Sequence, residues 1–100
     1  MFIVIRRYDL IPETREEFIQ RVQERLVPLL NRVPGFRAFT LLESGDNNVT
    51  FISAFNSFAD AKASSRLTND WHDEHLNVFI QGYTRIAAGE VRVQKGWEVH

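Results

Sequence analysis

The chain is 100 residues long, 44% hydrophobic and 25% charged, with a formal net charge of −1 at neutral pH. That is enough for one domain with a core, burying roughly 60–68% of the unfolded surface at this size. The balanced charge leaves no electrostatic footprint for nucleic acid or an anionic membrane, and the lack of cysteine excludes disulfides and thiolate chemistry.

Residues 2–10 are rich in β-branched and aromatic side chains and stop at Ile11-Pro12, which predicts a first strand. Their apolar run comes before Arg6 and Arg7, whereas a secretory signal places charge first and has a longer apolar run. No stretch approaches the ~18–20 apolar residues of a membrane span, so a cytoplasmic protein is expected. Thr14 and Glu17 match a capping box. The stripe Phe18, Val22, Leu26, Leu29 (or Leu30), Val33 then predicts a helix to about Arg32. Pro28 inside it removes a backbone donor and predicts a kink, and Pro34-Gly35 ends it.

Residues 36–43 read as the second strand, 44–48 as a turn and 49–56 as the third strand of a hairpin. Ser57 with Asp60 is a second capping box. It opens a helix to about Ile80, with a possible interruption at Thr68-Asn69 and a stop at Gln81-Gly82-Tyr83. Residues 90–94 are expected as a fourth strand, with Trp97 and Val99 extending it or reaching a neighbouring subunit. The order β-α-β-β-α-β is that of a ferredoxin-like α+β domain: four antiparallel strands with two helices on one face. No repeat or linker divides residues 1–100.

The strands are apolar on both sides. Phe36, Ala38 and Leu42 alternate against Phe39 and Leu41, Phe51 and Phe55 against Ile52 and Ala54, and Phe2 and Val4 against Ile3 and Ile5. Two helices cover one face only, so the other calls for a second copy of the chain, sheet against sheet. The competing reading is a monomer whose tail folds back over the sheet.

Trp71, His75 and Phe79 recur every four residues on one flank of the predicted helix, with Leu67 and Val78 beside them. An imidazole in an apolar arc suits a general base or an axial haem ligand, and desolvation there would keep it neutral. The plainer reading is a helix histidine bonded to a strand or to the dimer partner. Trp71 walls a pocket or simply fills the core. Asn69 is a candidate polar group or only a helix-break residue. His72 and His75 could share a metal face with Asp70 or Glu74, but no third ligand is evident, so no metal is expected. Arg6 shares a strand face with Phe2, Val4 and Tyr8, and Arg7 with Ile3 and Ile5. A buried guanidinium there needs an anionic or carbonyl partner, which a ligand carboxylate or phenolate, or an intersubunit salt bridge to Glu43 or Glu90, would supply. The third strand has the aromatics of an RNA-recognition surface without its basic residues, and no phosphate-binding or nucleophile-elbow motif is present.

The strand order, the segment Val33-Pro34-Gly35-Phe36-Arg37, the segment Phe55-Asn56-Ser57-Phe58-Ala59-Asp60-Ala61 and the run Trp71-His72-Asp73-Glu74-His75-Leu76 resemble dimeric α/β-barrel proteins of the antibiotic biosynthesis monooxygenase (ABM) type. The resemblance implies two sheets paired into a barrel, with a small apolar pocket between sheet and helices in each subunit. Its members include cofactor-free oxygenases, haem-degrading enzymes, isomerases and proteins without a known reaction. The haem degraders use an Asn of the first strand with a Trp and a His of the second-helix region. Trp71 and His75 (or His72) match the latter pair, while the first strand offers Arg6, Arg7 and Tyr8. The cofactor-free members use an Asn and a Trp near the second helix, for which Asn69 and Trp71 stand. The implied function is cofactor-free monooxygenation of a small aromatic or phenolic molecule. His75, Asn69 and Trp71 would be catalytic, and Arg6, Tyr8, Trp71, Phe79 and Leu67 would contact substrate. The alternatives are haem binding or degradation in the same pocket, or a non-catalytic ligand-binding dimer whose pocket is filled by Trp71 and Phe79.

Overall fold

A computed structural model describes residues 1–96. The elements in chain order are β1 (Phe2–Leu10), α1 (Arg15–Arg21), a π-helical turn (Val22–Leu26), α2 (Val27–Leu30), β2 (Phe36–Glu43), β3 (Asn48–Phe55), α3 (Phe58–His75), a 3-10 turn (Asn77–Phe79) and β4 (Ile80–Glu90). The strands form one antiparallel sheet in the order β2-β3-β1-β4, leaving β2 and β4 as its edges. With the helices on one side, this is the α+β ferredoxin-like arrangement.

The first helical segment is continuous from α1 to α2 but changes its winding midway. Its buried stripe is Phe18, Val22, Leu26 and Leu30, one residue in every four. In a straight α-helix such a stripe would drift by about 40° at each step. The wider π turn, in which Val27 N–H reaches the carbonyl of Val22, takes up that drift and holds the stripe on the sheet. It also lies directly before Pro28, whose missing N–H and ring disfavour regular α winding there. The kink expected at Pro28 is therefore a π turn just upstream, and Leu30 rather than Leu29 joins the core.

The capping box expected at Thr14 does not form. The Thr14 hydroxyl instead donates to the carbonyl of Ile11 at 2.6 Å, closing the turn after β1. Ser57 does cap α3, accepting from Asp60 N–H at 3.1 Å. The interruption expected at Thr68-Asn69 is absent. The Thr68 hydroxyl bonds back to the carbonyl of Ser64 at 2.9 Å, which satisfies it inside the helix. α3 ends at His75, short of Ile80, and Phe79 enters the core from the 3-10 turn rather than from the helix flank.

β4 overturns the expected fourth strand at 90–94. The strand occupies Ile80–Glu90 and takes in the expected stop at Gln81-Gly82-Tyr83; residues after Glu90 are irregular up to Gly96. Its sequence lacks an alternating pattern because most of it is exposed at an edge, with an extra residue, Ile86, opposite the Ile5–Arg6 step. Trp97 and Val99 lie outside the described residues.

On the helix side the core joins Tyr8, Phe18, Val49, Phe51, Leu76 and Phe79, of which Phe18, Val49 and Leu76 have no exposed surface. A bulge between Phe36 and Ala38 turns Phe36 to this side as well, against Phe55, so Phe36 does not share the outer face with Ala38. The outer face carries Ile3 and Ile5 opposite Ala54 and Ile52, with Ala38 and Leu42 alongside. Among the described residues Ile3, Ile5 and Ile52 are half-buried and Ala38 and Leu42 exposed, while Ala54 is buried.

Candidate functional site

α3 is unusual in what it turns toward the sheet. Ala61, Ser64, Ser65, Thr68 and His72 follow one another at helical spacing, and all line a cavity against Val4, Phe39 and Phe51. Four of these five helix residues are polar and four are small, so they fill little of the space between the layers and leave a partly open cavity of about 40 Å³. Arg6 and Tyr8 of β1 and His72 of α3 line both this cavity and an adjoining open cleft of about 390 Å³, to which Asn69, Asp73 and Tyr83 also contribute. The site is thus a small buried recess with a wider mouth, and Arg6, Tyr8 and His72 stand at the junction.

Tyr8 is 1% exposed, and its ring lies 5.5 Å from the His72 ring and 5.3 Å from that of Tyr83. Burial pushes its hydroxyl up to about 12, against the pull of the Arg6 cation. His72 is held below its usual 6.5, chiefly by burial, with Arg6 acting in the same direction and Asp73, 3.7 Å from Nδ1, opposing. The imidazole is therefore neutral at physiological pH and able to take a proton. Its Nε2 is buried without a partner, as is Nε of Arg6, whose Nη2 donates to the Ser65 hydroxyl at 3.2 Å. Unpaired buried polar atoms are uncommon and costly, and here two of them occur on residues of one site. Such an arrangement offers a proton acceptor and a cation to a ligand oxygen.

The structure brings together Arg6, Tyr8, Asn69 and His72 from the residues singled out in the sequence, and places His75, Trp71, Phe79 and Leu67 elsewhere. His75 faces the first helix: its side chain is 44% exposed, its ring lies tilted 5.1 Å from that of Trp71, and it borders a surface groove with Glu17 and Arg21. Trp71 packs against that helix beside Pro28 and Leu29. Phe79 is core, with Phe18 at 6.0 Å and the Arg21 guanidinium 5.0 Å above its ring. Leu67 is 58% exposed. Trp71 and Phe79 therefore do not fill the cavity, and of the two histidines His72 is the one that faces it. Within the chain Glu43 lies near Arg15 and Glu90 near the N-terminal amine. The small polar stripe of α3 and Ser53 opposite it were the missed residues; a helix that presents Ser and Thr to a greasy sheet was the available signal.

Among the described residues no group of three His, Asp or Glu is placed to hold a metal, and no helix is long and apolar enough to cross a membrane.

The sequence profile of the antibiotic biosynthesis monooxygenase family matches residues 1–77. The chain belongs to that family. No curated protein matches it at a significant level. Among solved structures, a Nitrosomonas europaea protein classed with the antibiotic biosynthesis monooxygenases superposes with a TM-score of 0.78 at 16% identity, over 95% of this chain and 93% of that one. SnoaB, a cofactor-independent oxygenase from Streptomyces nogalater, gives 0.77 at 19% identity, covering 93% and 94%. MhuD, a heme-degrader from Mycobacterium tuberculosis with two hemes bound in its active site, gives 0.77 at 20% identity, covering 96% and 100%. The same fold thus occurs in a cofactor-independent oxygenase and in a heme-degrader.

Proposed function

We propose that the protein is a cofactor-free monooxygenase of small phenolic or aromatic molecules, working as a sheet-to-sheet homodimer in the cytoplasm. The observation that carries the reading is the neutral His72 with a buried, unpartnered Nε2 beside the Arg6 cation at an apolar recess. A phenol lying in the mouth against Tyr8 and Tyr83 would pass its proton to His72, and Arg6 would hold the resulting phenolate. An electron-rich phenolate reacts with dioxygen directly. One oxygen atom enters the ring para to the hydroxyl, that carbon loses its hydrogen, and the other atom leaves as water, so the substrate supplies every electron. The chain's part is to remove the proton, orient the ring and keep water out. Asn69, on the cleft wall, supports the oxygen-bearing end.

Haem fits this site poorly. The buried, unpartnered Nε2 of His72 stands where the recess of about 40 Å³ meets the cleft of about 390 Å³, a space at the small end of the roughly 300–1,000 Å³ that drug-sized ligands occupy. A hydroxyl reaches such an atom with a side-chain adjustment, and a macrocycle does not. The dimer reading is supported by the outer sheet face, where Ile3, Ile5 and Ile52 are half-buried and Ala38 and Leu42 exposed.

Oxygen uptake with 1-naphthol tests the chemistry. His72→Ala is expected to abolish it and His75→Ala to leave it within a few-fold of the original. Full activity in the His72 variant, with a folded chain, overturns the assignment.

A further inference from the structure

Arg6 and Arg85 face each other directly across β1 and β4. Like charges in that position repel, and sheets ordinarily avoid or neutralise them. Here they share a second open cleft, of about 470 Å³, with Lys62 of α3. Among the described residues none of these three cations is in an ion pair, although Arg7, Arg15 and Arg21 all are. The Arg6 head donates to the neutral Ser65 hydroxyl at 3.2 Å and lies beside the neutral Tyr8 hydroxyl, and its Nε is buried and unpartnered. Around the charges the cleft is apolar: Phe2, Phe58 and Ala88 line it, and Phe58 is 58% exposed while resting edge-on against Phe2 at 5.4 Å.

We propose that this groove between α3 and β4 binds an amphipathic carboxylate, its head between Arg6 and Arg85 and its hydrocarbon body along Phe2 and Phe58. A guanidinium presents parallel N–H donors that match the two oxygens of a carboxylate, and Lys62 adds a point charge at the rim. An inorganic anion would satisfy the charges and leave the aromatic floor bare. A neutral hydrocarbon would cover the floor and leave three cations facing one another. The volume lies in the range of small-molecule sites. Arg85, Lys62, Phe2 and Phe58 line neither the recess nor the mouth that holds His72; the groove shares Val4, Arg6, Ala61 and Ser65 with the recess, and neither His72 nor Tyr8 lines it.

Calorimetric titration with 1-naphthoate and with 1-naphthalenemethanol, identical in ring and differing in charge, tests the assignment. The carboxylate is expected to bind at least tenfold tighter, and raised salt should weaken it alone. Arg85→Gln, on an exposed side chain, should lose at least tenfold in naphthoate affinity, and Arg85→Lys should restore part of it. His72→Ala should keep the affinity while losing oxygen uptake, which separates this site from the oxygenation reading. Equal binding of acid and alcohol, no binding of either, an unaltered Kd in Arg85→Gln, or inorganic phosphate binding as tightly as naphthoate would each overturn the proposal.

Discussion

Ser64→Val tests whether the space between α3 and the sheet is kept open at the expense of stability. Ser64 is 4% exposed and lines the cavity, and only its backbone carbonyl is engaged by Thr68, so the side chain can change without breaking that bond. Exchanging the hydroxyl for a methyl and adding a second methyl puts carbon where there is now void. At about 24 cal/mol per Å³, the cavity of about 40 Å³ corresponds to roughly 1 kcal/mol. Serine and valine have similar helix propensities, so the helix itself contributes little to the difference. The variant is therefore expected to gain up to about 1 kcal/mol in urea unfolding, equivalent to about 4–8 °C in Tm for a domain of this size. The same methyls narrow the space beside His72, so oxygen uptake with 1-naphthol should fall at least tenfold. A variant destabilised by about 1 kcal/mol or more would show that the space is organised by the Ser64 hydroxyl and hydrated. Unchanged turnover would show that substrate does not use it.

Three further outcomes follow from the geometry. Ile52→Lys places a charge in the middle of the outer sheet face, opposite Ile5; light scattering is expected to give a dimer for the original chain and a monomer for the variant, and a monomer in both cases would end the barrel assignment. His72 is held below 6.5 in the folded chain, so between that lowered value and 6.5 the unfolded chain takes up a proton that the folded chain refuses. Its contribution is complete above pH 6.5 and declines on acidification, and urea midpoints at pH 7.5 and 5.5 should lie closer together in His72→Gln than in the original; equal spacing would contradict this. Ser57→Ala removes the hydroxyl that caps α3 and should lower stability by about 1 kcal/mol in the same assay.

The parts of the fold that the sequence announces are those where burial is periodic. β1, β2, β3 and the first helix each carry an apolar repeat that has to face something, and each lies within a few residues of its expected span. β4 carries no such repeat, because an exposed edge strand needs none. It is held by pairing with β1 over most of its length, and that information resides in β1. The π turn is equally silent: a stripe at every fourth residue fits an α-helix on paper, and the accumulated rotation shows only once the stripe must meet a flat surface. At the site, the search for an imidazole among large apolar residues led to His75 and Trp71, which mark the contact between helices. The recess is marked by small residues opposite large ones, a contrast between elements that no single-helix pattern contains.

β4 runs eleven residues along an open margin of the sheet and contains no proline. A margin of that length offers a row of free backbone donors and acceptors to any extended peptide that drifts past, a known route to clumping. Its departure from flatness at Ile86, the neighbouring Arg85 charge and the terminal Glu90 work against such capture. Straightening that step, or neutralising those charges while engineering the protein, would be expected to cost colloidal behaviour at high concentration well before it touched the core.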